Sequence, residues 1–198
     1  MSSTSNLSRA VFLDRDGVII EDVDWLTHPG QIHVLPGVPQ ALRRLAQTGF
    51  RLIVATNQPI IARGFATEAQ LEALHAAMAA QLTAAGAPPL DRFYFCPHHP
   101  NATLPAYRVL CDCRKPRPGL LLRAARDFRL DLPASFMIGD RPTDIAAGAA
   151  AGCRTVLVQT GKHLLPPIQT AEPLDPGLKP DWTCADLPAA AEWIVNRK

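Results

Sequence analysis

Apolar positions along this chain fall into short unbroken runs, and stretches of helical spacing lie between them. Residues 9–13, 51–55, 92–95, 135–138 and 155–158 are runs of the first kind. Continuous rather than alternating apolarity reads as strands buried on both faces, the pattern of a parallel sheet. Pro36 and Gly37 open a helix that runs to Gln47 with Val38, Ala41, Leu42 and Leu45 on its buried side, and Gly49 stops it. Thr67 followed by Gln70 predicts a capping box for a helix reaching about Ala85, with Leu71, Leu74, Met78 and Leu82 inward and His75 a surface or packing residue. Pro118 starts a further helix with Leu121, Leu122, Ala125 and Phe128 inward. A short helix over 145–151 ends at Gly152, and Asp186 caps a last one that buries Leu187, Ala190, Trp193 and Ile194. Residues 21–35, with a turn at His28-Pro29-Gly30, and the proline-rich span 161–180 read as irregular but ordered loops, and Trp182-Thr183 as an edge strand. Strand and helix alternate throughout, which predicts a parallel sheet with helices on both faces.

Polar residues of one kind recur where these strands stop. The first run ends in Asp14-Arg15-Asp16-Gly17. Strand alternation puts both carboxylates on one side with Arg15 turned away, and Gly17 lets the backbone turn after them. Two acids held that close repel, and a hard cation such as Mg²⁺ keeps both ionised. One carboxylate is then a nucleophile for phosphorus and the other a proton shuttle. The second run ends at Thr56-Asn57-Gln58, whose hydroxyl and amides suit phosphate oxygens. The fourth ends at Gly139-Asp140, and Asp140 is expected as the third acidic Mg²⁺ ligand, with Asp144 orienting the ligands or capping the turn. Alone, each of these is an ordinary cap or acidic turn. Together they fall at the rim of a sheet where open α/β folds bind ligands.

A second kind of chemistry lies between the third strand and the next helix. Cys96-Pro97-His98-His99 and Cys111-Asp112-Cys113 pair thiols and imidazole at the spacing of a tetrahedral zinc site. The favoured ligands are Cys96, His98, Cys111 and Cys113, with His99 the alternative imidazole. Four protein ligands leave no open position, so such a site is structural. Lys115, just beyond, is placed to offset charge on a bound phosphate, and Arg114 to grip a second anionic or hydroxylated part of a substrate. Cys153 and Cys184 read as small buried residues.

Composition narrows the classes. With 198 residues, 47% of them apolar, the chain suits one α/β domain. A net charge of +2 without a basic stripe argues against nucleic acid, and no apolar run spans a bilayer. The first nine residues are serine-rich without a hydrophobic signal core. An odd count of five cysteines, three of them clustered, points to metal binding in a reducing cytoplasm rather than to disulfides.

Asp14-x-Asp16, Thr56, Lys115 and Gly139-Asp140 with Asp144 together resemble the haloacid dehalogenase superfamily, over nearly the whole chain from Arg9. The runs Phe12 to Gly17, Thr56-Asn57-Gln58, Ile61-Ala62-Arg63-Gly64, Cys96 to Pro100 and Cys111 to Pro116 are similar to its subgroup of heptose bisphosphate and histidinol-phosphate phosphatases. The resemblance implies one capless, Rossmann-like domain over 1–198 with a zinc-bound loop at 96–113. It implies that Asp14 attacks the phosphate, Asp16 is the acid and then the base, and Thr56 and Lys115 hold the phosphoryl oxygens. Mg²⁺ falls to Asp14, the Asp16 carbonyl and Asp140. Asp22, Val23, Asp24, Trp25, Asn57, Gln58 and Arg114 fall to the substrate. The implied activity is hydrolysis of a sugar phosphomonoester by a cytoplasmic monomer, with a heptose bisphosphate ahead of histidinol phosphate. A zinc-bearing module without catalysis is the alternative from another class. The chain departs from the subgroup at Pro59-Ile60, where serine and glycine are usual, and at Val18, where threonine is common.

Overall fold

The computed structural model describes residues 7–162 and 174–197. Six parallel strands form one sheet in the order β3-β2-β1-β4-β5-β6. They are β1 (Arg9–Leu13), β2 (Phe50–Asn57), β3 (Arg92–Cys96), β4 (Phe136–Gly139), β5 (Arg154–Val158) and β6 (Trp182–Cys184). The helices are α1 (Val38–Gln47), α2 (Glu68–Ala84), α3 (Gly119–Phe128), α4 (Pro142–Ala151) and α5 (Leu187–Val195). Between β1 and β2 the chain makes loop, one 3₁₀ turn at Pro29–Gln31 and α1, with no room for a cap domain. No helix among the described residues is long and apolar enough to cross a membrane.

Two apolar layers follow from strand alternation. Val11 and Leu13 face Leu42 and Leu45 of α1, Leu74 and Met78 of α2, and Ile194 of α5. Ala10 and Phe12 face the other way, onto Leu120, Leu121 and Ala124 of α3. Helices therefore cover both faces, as the unbroken apolar runs require.

Most predicted elements appear with shifted ends. β2 runs two residues past the expected Ala55 because Thr56 and Asn57 pair with Phe95 and Cys96. Helix α4 starts three residues early, since Pro142 at its first turn lacks only a donor that would be unused there. The Thr67–Gln70 capping box is present. Helix α3 is rotated from its predicted phase. Leu120, Leu121 and Ala124 are buried, whereas Leu122 is 37% exposed and Ala125 and Phe128 are half-buried. The cause is local. Gly119 donates its N–H to the Asp112 carbonyl at 3.0 Å, and that contact seats the Cys111–Cys113 loop on the helix start and sets its roll. The predicted loop over 161–180 lies largely outside the described residues.

The switch in strand order falls between β1 and β4. Leu13 stands level with Val54 on one side and Ile138 on the other. The residues that follow, Asp14, Ala55-Thr56 and Gly139-Asp140, are thus delivered side by side at the carboxyl edge, where such sheets bind ligands.

Candidate active site

Asp14 continues β1 by one hydrogen bond, its N–H donating to the Ile138 carbonyl at 2.9 Å. Its carboxylate meets Lys115, with Nζ 3.1 Å from Oδ1. The same ammonium reaches Asp144 Oδ1 at 2.6 Å and donates to the Ala55 carbonyl at 2.8 Å. Lys115 is only 2% exposed. Desolvation works against its charge, but Asp14 and then Asp144 outweigh it and raise its pKa. The backbone of Lys115 is clamped as well. Asn57 Nδ2 donates to its carbonyl and Asn57 Oδ1 accepts from its N–H, both at 3.0 Å. A residue far along the chain is thereby fixed over the end of β2.

One oxygen from each of Asp14, Asp140 and Asp144 lies within 4.8 Å of the others. Burial, with the charges of Asp144 and Asp14 added, pushes Asp140 up to about 7. Burial likewise lifts Asp144 to about 6 against the pull of Lys115. Asp140 Oδ2 accepts from the Lys162 N–H at 2.7 Å, while its buried Oδ1 has no protein partner. Crowded carboxylates with an orphaned oxygen on Asp140 fit the donor chemistry of a hard divalent cation. Asp144 does what the sequence suggested, since its Oδ2 accepts from the Arg141 N–H at 3.0 Å and closes the start of α4. Gly17 is needed at its position. Its φ is +74°, and a Cβ there would stand 2.7 Å from Asp140 Oδ2.

Asp16 faces the same cleft of about 250 Å³ as Asp14. Its carboxylate accepts from Arg15 Nε at 3.0 Å, Arg15 Nη2 at 2.9 Å and Gln58 Nε2 at 3.0 Å. Burial outweighs these partners and raises its pKa. Arg15 is turned from the cleft, as alternation predicted, yet it folds back onto Asp16. Gln58 is buried behind Asp16 and also donates to Thr56 Oγ1 at 3.1 Å, so its amide does not line the cleft. Asp22, Asp24, Trp25, Asn57 and Arg114 do line it, and Val23 packs toward the core instead.

The sequence reading missed Arg141, Thr143 and Lys162, which line the cleft too. Arg141 Nη2 is 3.5 Å from Asp22 Oδ2, and Lys162 Nζ is 3.0 Å from Asp22 Oδ1 and pairs with Asp24 Oδ1. These bonds hold Asp22 below its usual pKa even though burial works the other way. A signal existed, because Arg141 and Lys162 follow β4 and β5 at the edge that carries every other site residue.

The Cys96 sulfur lies 3.5 Å from that of Cys111 and 3.2 Å from that of Cys113. His98 Nδ1 is 3.7 Å from Cys96 Sγ and 3.5 Å from Cys113 Sγ. His99 instead accepts from the Asn101 N–H through its Nδ1. All five cysteines are free thiols. Sulfur and nitrogen donors at these separations fit around a tetrahedral ion with bonds of about 2.0–2.3 Å. Hydrogen bonding from Cys96 draws Cys113 down to about 5, while hydrogen bonding and burial push Cys96 up and burial pushes Cys111 up. Three thiolates share that space only with a cation among them, and the cluster is compatible with zinc. Arg114 Nη1 donates to the His98 carbonyl at 3.0 Å and ties this loop to the cleft.

A heptose-1,7-bisphosphate 7-phosphatase of Escherichia coli K12 is 43% identical over 185 residues, 91% of this chain and 92% of that protein. The chain belongs to that family of haloacid dehalogenase-like phosphatases. Its counterpart in Rhodopseudomonas palustris is 40% identical over 152 residues, 77% of this chain and 84% of that one. A family model described as "HAD-hyrolase-like" matches residues 112–190. Among solved structures, the heptose bisphosphate phosphatase of B. bronchiseptica, complexed with magnesium and phosphate, superimposes with a TM-score of 0.78 at 35% identity. It covers 96% of this chain and 99% of its own. A HAD-like phosphatase from Mesorhizobium loti gives 0.78 at 29% identity, covering 95% and 88%. The chain is thus a phosphate-ester hydrolase by family, built on a parallel sheet with helices on both faces.

Proposed function

We propose that this phosphatase removes one phosphate from a D-glycero-D-manno-heptose 1,7-bisphosphate, with Mg²⁺ at the acidic cluster. The observation that carries the reading is the division of positive charge in one cleft. Lys115 lies at the floor beside Asp14, and Arg114, Arg141 and Lys162 lie around the mouth. One cation suffices for the phosphoryl group that reacts, and of the others Arg114 and Arg141 suit a second phosphate on the same sugar, Lys162 being paired with Asp22 and Asp24. The names of the relatives fit that division.

Asp14 attacks phosphorus, the P–O bond to the sugar breaks, and Asp16 gives its proton to the departing oxygen. Asp16, now ionised, takes a proton from water as that water cleaves the aspartyl phosphate. Lys115 and Thr56 hold the phosphoryl oxygens through both steps. Asp14, Asp140 and the Asp16 carbonyl would hold Mg²⁺, which when bound neutralises charge on the phosphoryl group. Asp144 keeps Lys115 in place. Cys96, His98, Cys111 and Cys113 would hold a structural Zn²⁺.

Initial rates on heptose 1,7-bisphosphate, heptose 7-phosphate and histidinol phosphate test the reading. The bisphosphate is expected to have the highest kcat/KM, and Asp14→Asn to abolish release of phosphate from it. Preference for histidinol phosphate would reject the substrate. Turnover by Asp14→Asn at the wild-type rate would reject the nucleophile.

A further inference from the structure

Arg15 stands between the two catalytic acids, and hydrolysis as described gives it no task. Its side chain is 2% exposed. Two of its nitrogens grip the two oxygens of Asp16, in the forked geometry that fixes a carboxylate in both position and plane. Its third nitrogen, Nη1, lies 3.4 Å from Nε2 of His75 on α2. A guanidinium only donates, so Nε2 accepts and the proton of a neutral His75 sits on Nδ1. The imidazole is itself held, stacked on Phe93 at 4.7 Å with 14° between planes and edge-on to Phe95 at 5.9 Å. A chain of fixed contacts thus runs from the edge strand β3 through His75 and Arg15 to Asp16.

We propose that His75 and Arg15 form a positioning pair that holds the Asp16 carboxylate aimed at the leaving oxygen of the substrate. Asp16 sits on the turn after β1, where a bridge to Ile20 holds its backbone but not its carboxylate. Gln58 bonds one of its oxygens, which alone leaves the plane of the carboxylate unset. Arg15 sets that plane, and His75 keeps Arg15 in register by satisfying Nη1. Without the acceptor, a buried charged donor is unpaired and the guanidinium moves to find another partner. The inference rests on Asp16 being the proton donor.

The leaving group separates positioning from bulk stability. A sugar alkoxide needs a proton as it departs, whereas 4-nitrophenolate does not. His75→Phe keeps the aromatic stack and removes the acceptor. Asp16 also serves as the base in the second step, which both esters share, so the first step is read alone, in single turnovers. The variant is expected to slow phosphoryl transfer from a sugar phosphomonoester about tenfold and from 4-nitrophenyl phosphate by less than about twofold. His75→Gln, which restores an acceptor, is expected to recover most of the loss. Arg15→Met combined with His75→Phe is expected to be no slower than Arg15→Met alone, because His75 acts through Arg15. Equal loss on both esters, no loss on either, or additive effects in the double variant would overturn the pair. Wild-type protein that hydrolyses neither ester would instead remove the catalytic reading on which it rests.

Discussion

Burying an ammonium costs several kcal/mol of hydration and is tolerated only where anions and acceptors surround it. Lys115 meets that condition with Asp14, Asp144 and the Ala55 carbonyl, so removing it strands two buried carboxylates. Lys115→Met is expected to lose roughly 3 kcal/mol or more of stability in urea denaturation of the metal-free protein, and at least about 100-fold in turnover. His75 is a second residue whose surroundings fix its charge. Burial, then the neighbouring Arg15, holds its imidazole from 6.5 down to about 3. Between those values the unfolded chain binds a proton that the folded one refuses, so the His75 contribution is intact above about pH 6.5 and is lost as pH falls toward 3. Other groups also titrate in that range, and His75→Gln isolates the effect. The stability advantage of the wild type over this variant, from denaturant melts at several pH values, is expected to shrink steadily from pH 6.5 to 3. An advantage that is flat with pH would place a charged His75 in the native state.

The elements show which features a linear pattern can carry. Five of the strands were legible from their short apolar runs, and the carboxyl edge was marked by Asp14 after β1, Thr56-Asn57 at the end of β2 and Asp140 after β4. The roll of α3 was not legible. Leu121 and Leu122 are alike in composition and adjacent, and only the docking of the Asp112 carbonyl on Gly119 decides that Leu122 is exposed. The role of His75 was hidden for a similar reason, since its partner Arg15 is sixty positions away. The same loop that rolls α3 also ties into the cleft, through Arg114 on the His98 carbonyl. Metal in the Cys96, His98, Cys111 and Cys113 cluster is therefore expected to brace both the fold and the site. Stripping zinc with a strong chelator, followed by Mg²⁺ re-addition, is expected to lower the melting temperature and to raise KM through a displaced Arg114. Cys111→Ser is expected to reproduce both effects. A chelated protein that melts and turns over unchanged would show the cluster to be empty of function.

At the scale of the whole molecule, a net charge of +2 gives no steering field to speak of, so anion recognition has to be local. The sheet supplies it by delivering cations from three separate returns of the chain to one edge. Lys115 comes from the loop before α3, Arg141 follows β4, and Lys162 follows β5. Asp22 and Asp24 occupy Lys162, and Asp22 also draws Arg141 at 3.5 Å, so the rim is nearly neutral as it stands. A substrate bearing a second phosphate competes with Asp22 for Arg141, the longer and weaker of the two contacts. Substrates with one phosphate have nothing to offer there. Arg141→Gln is accordingly expected to raise KM for the bisphosphate about tenfold while leaving KM for heptose 7-phosphate within about twofold, with kcat little changed for either, because the lost contact binds ground and transition states alike. Steady-state kinetics on the two sugars decides it. A rise in KM shared equally by both would move Arg141 from the distal phosphate to the sugar or to the phosphoryl group that reacts. A fall in kcat would show that the Arg141 side chain acts on the chemistry itself.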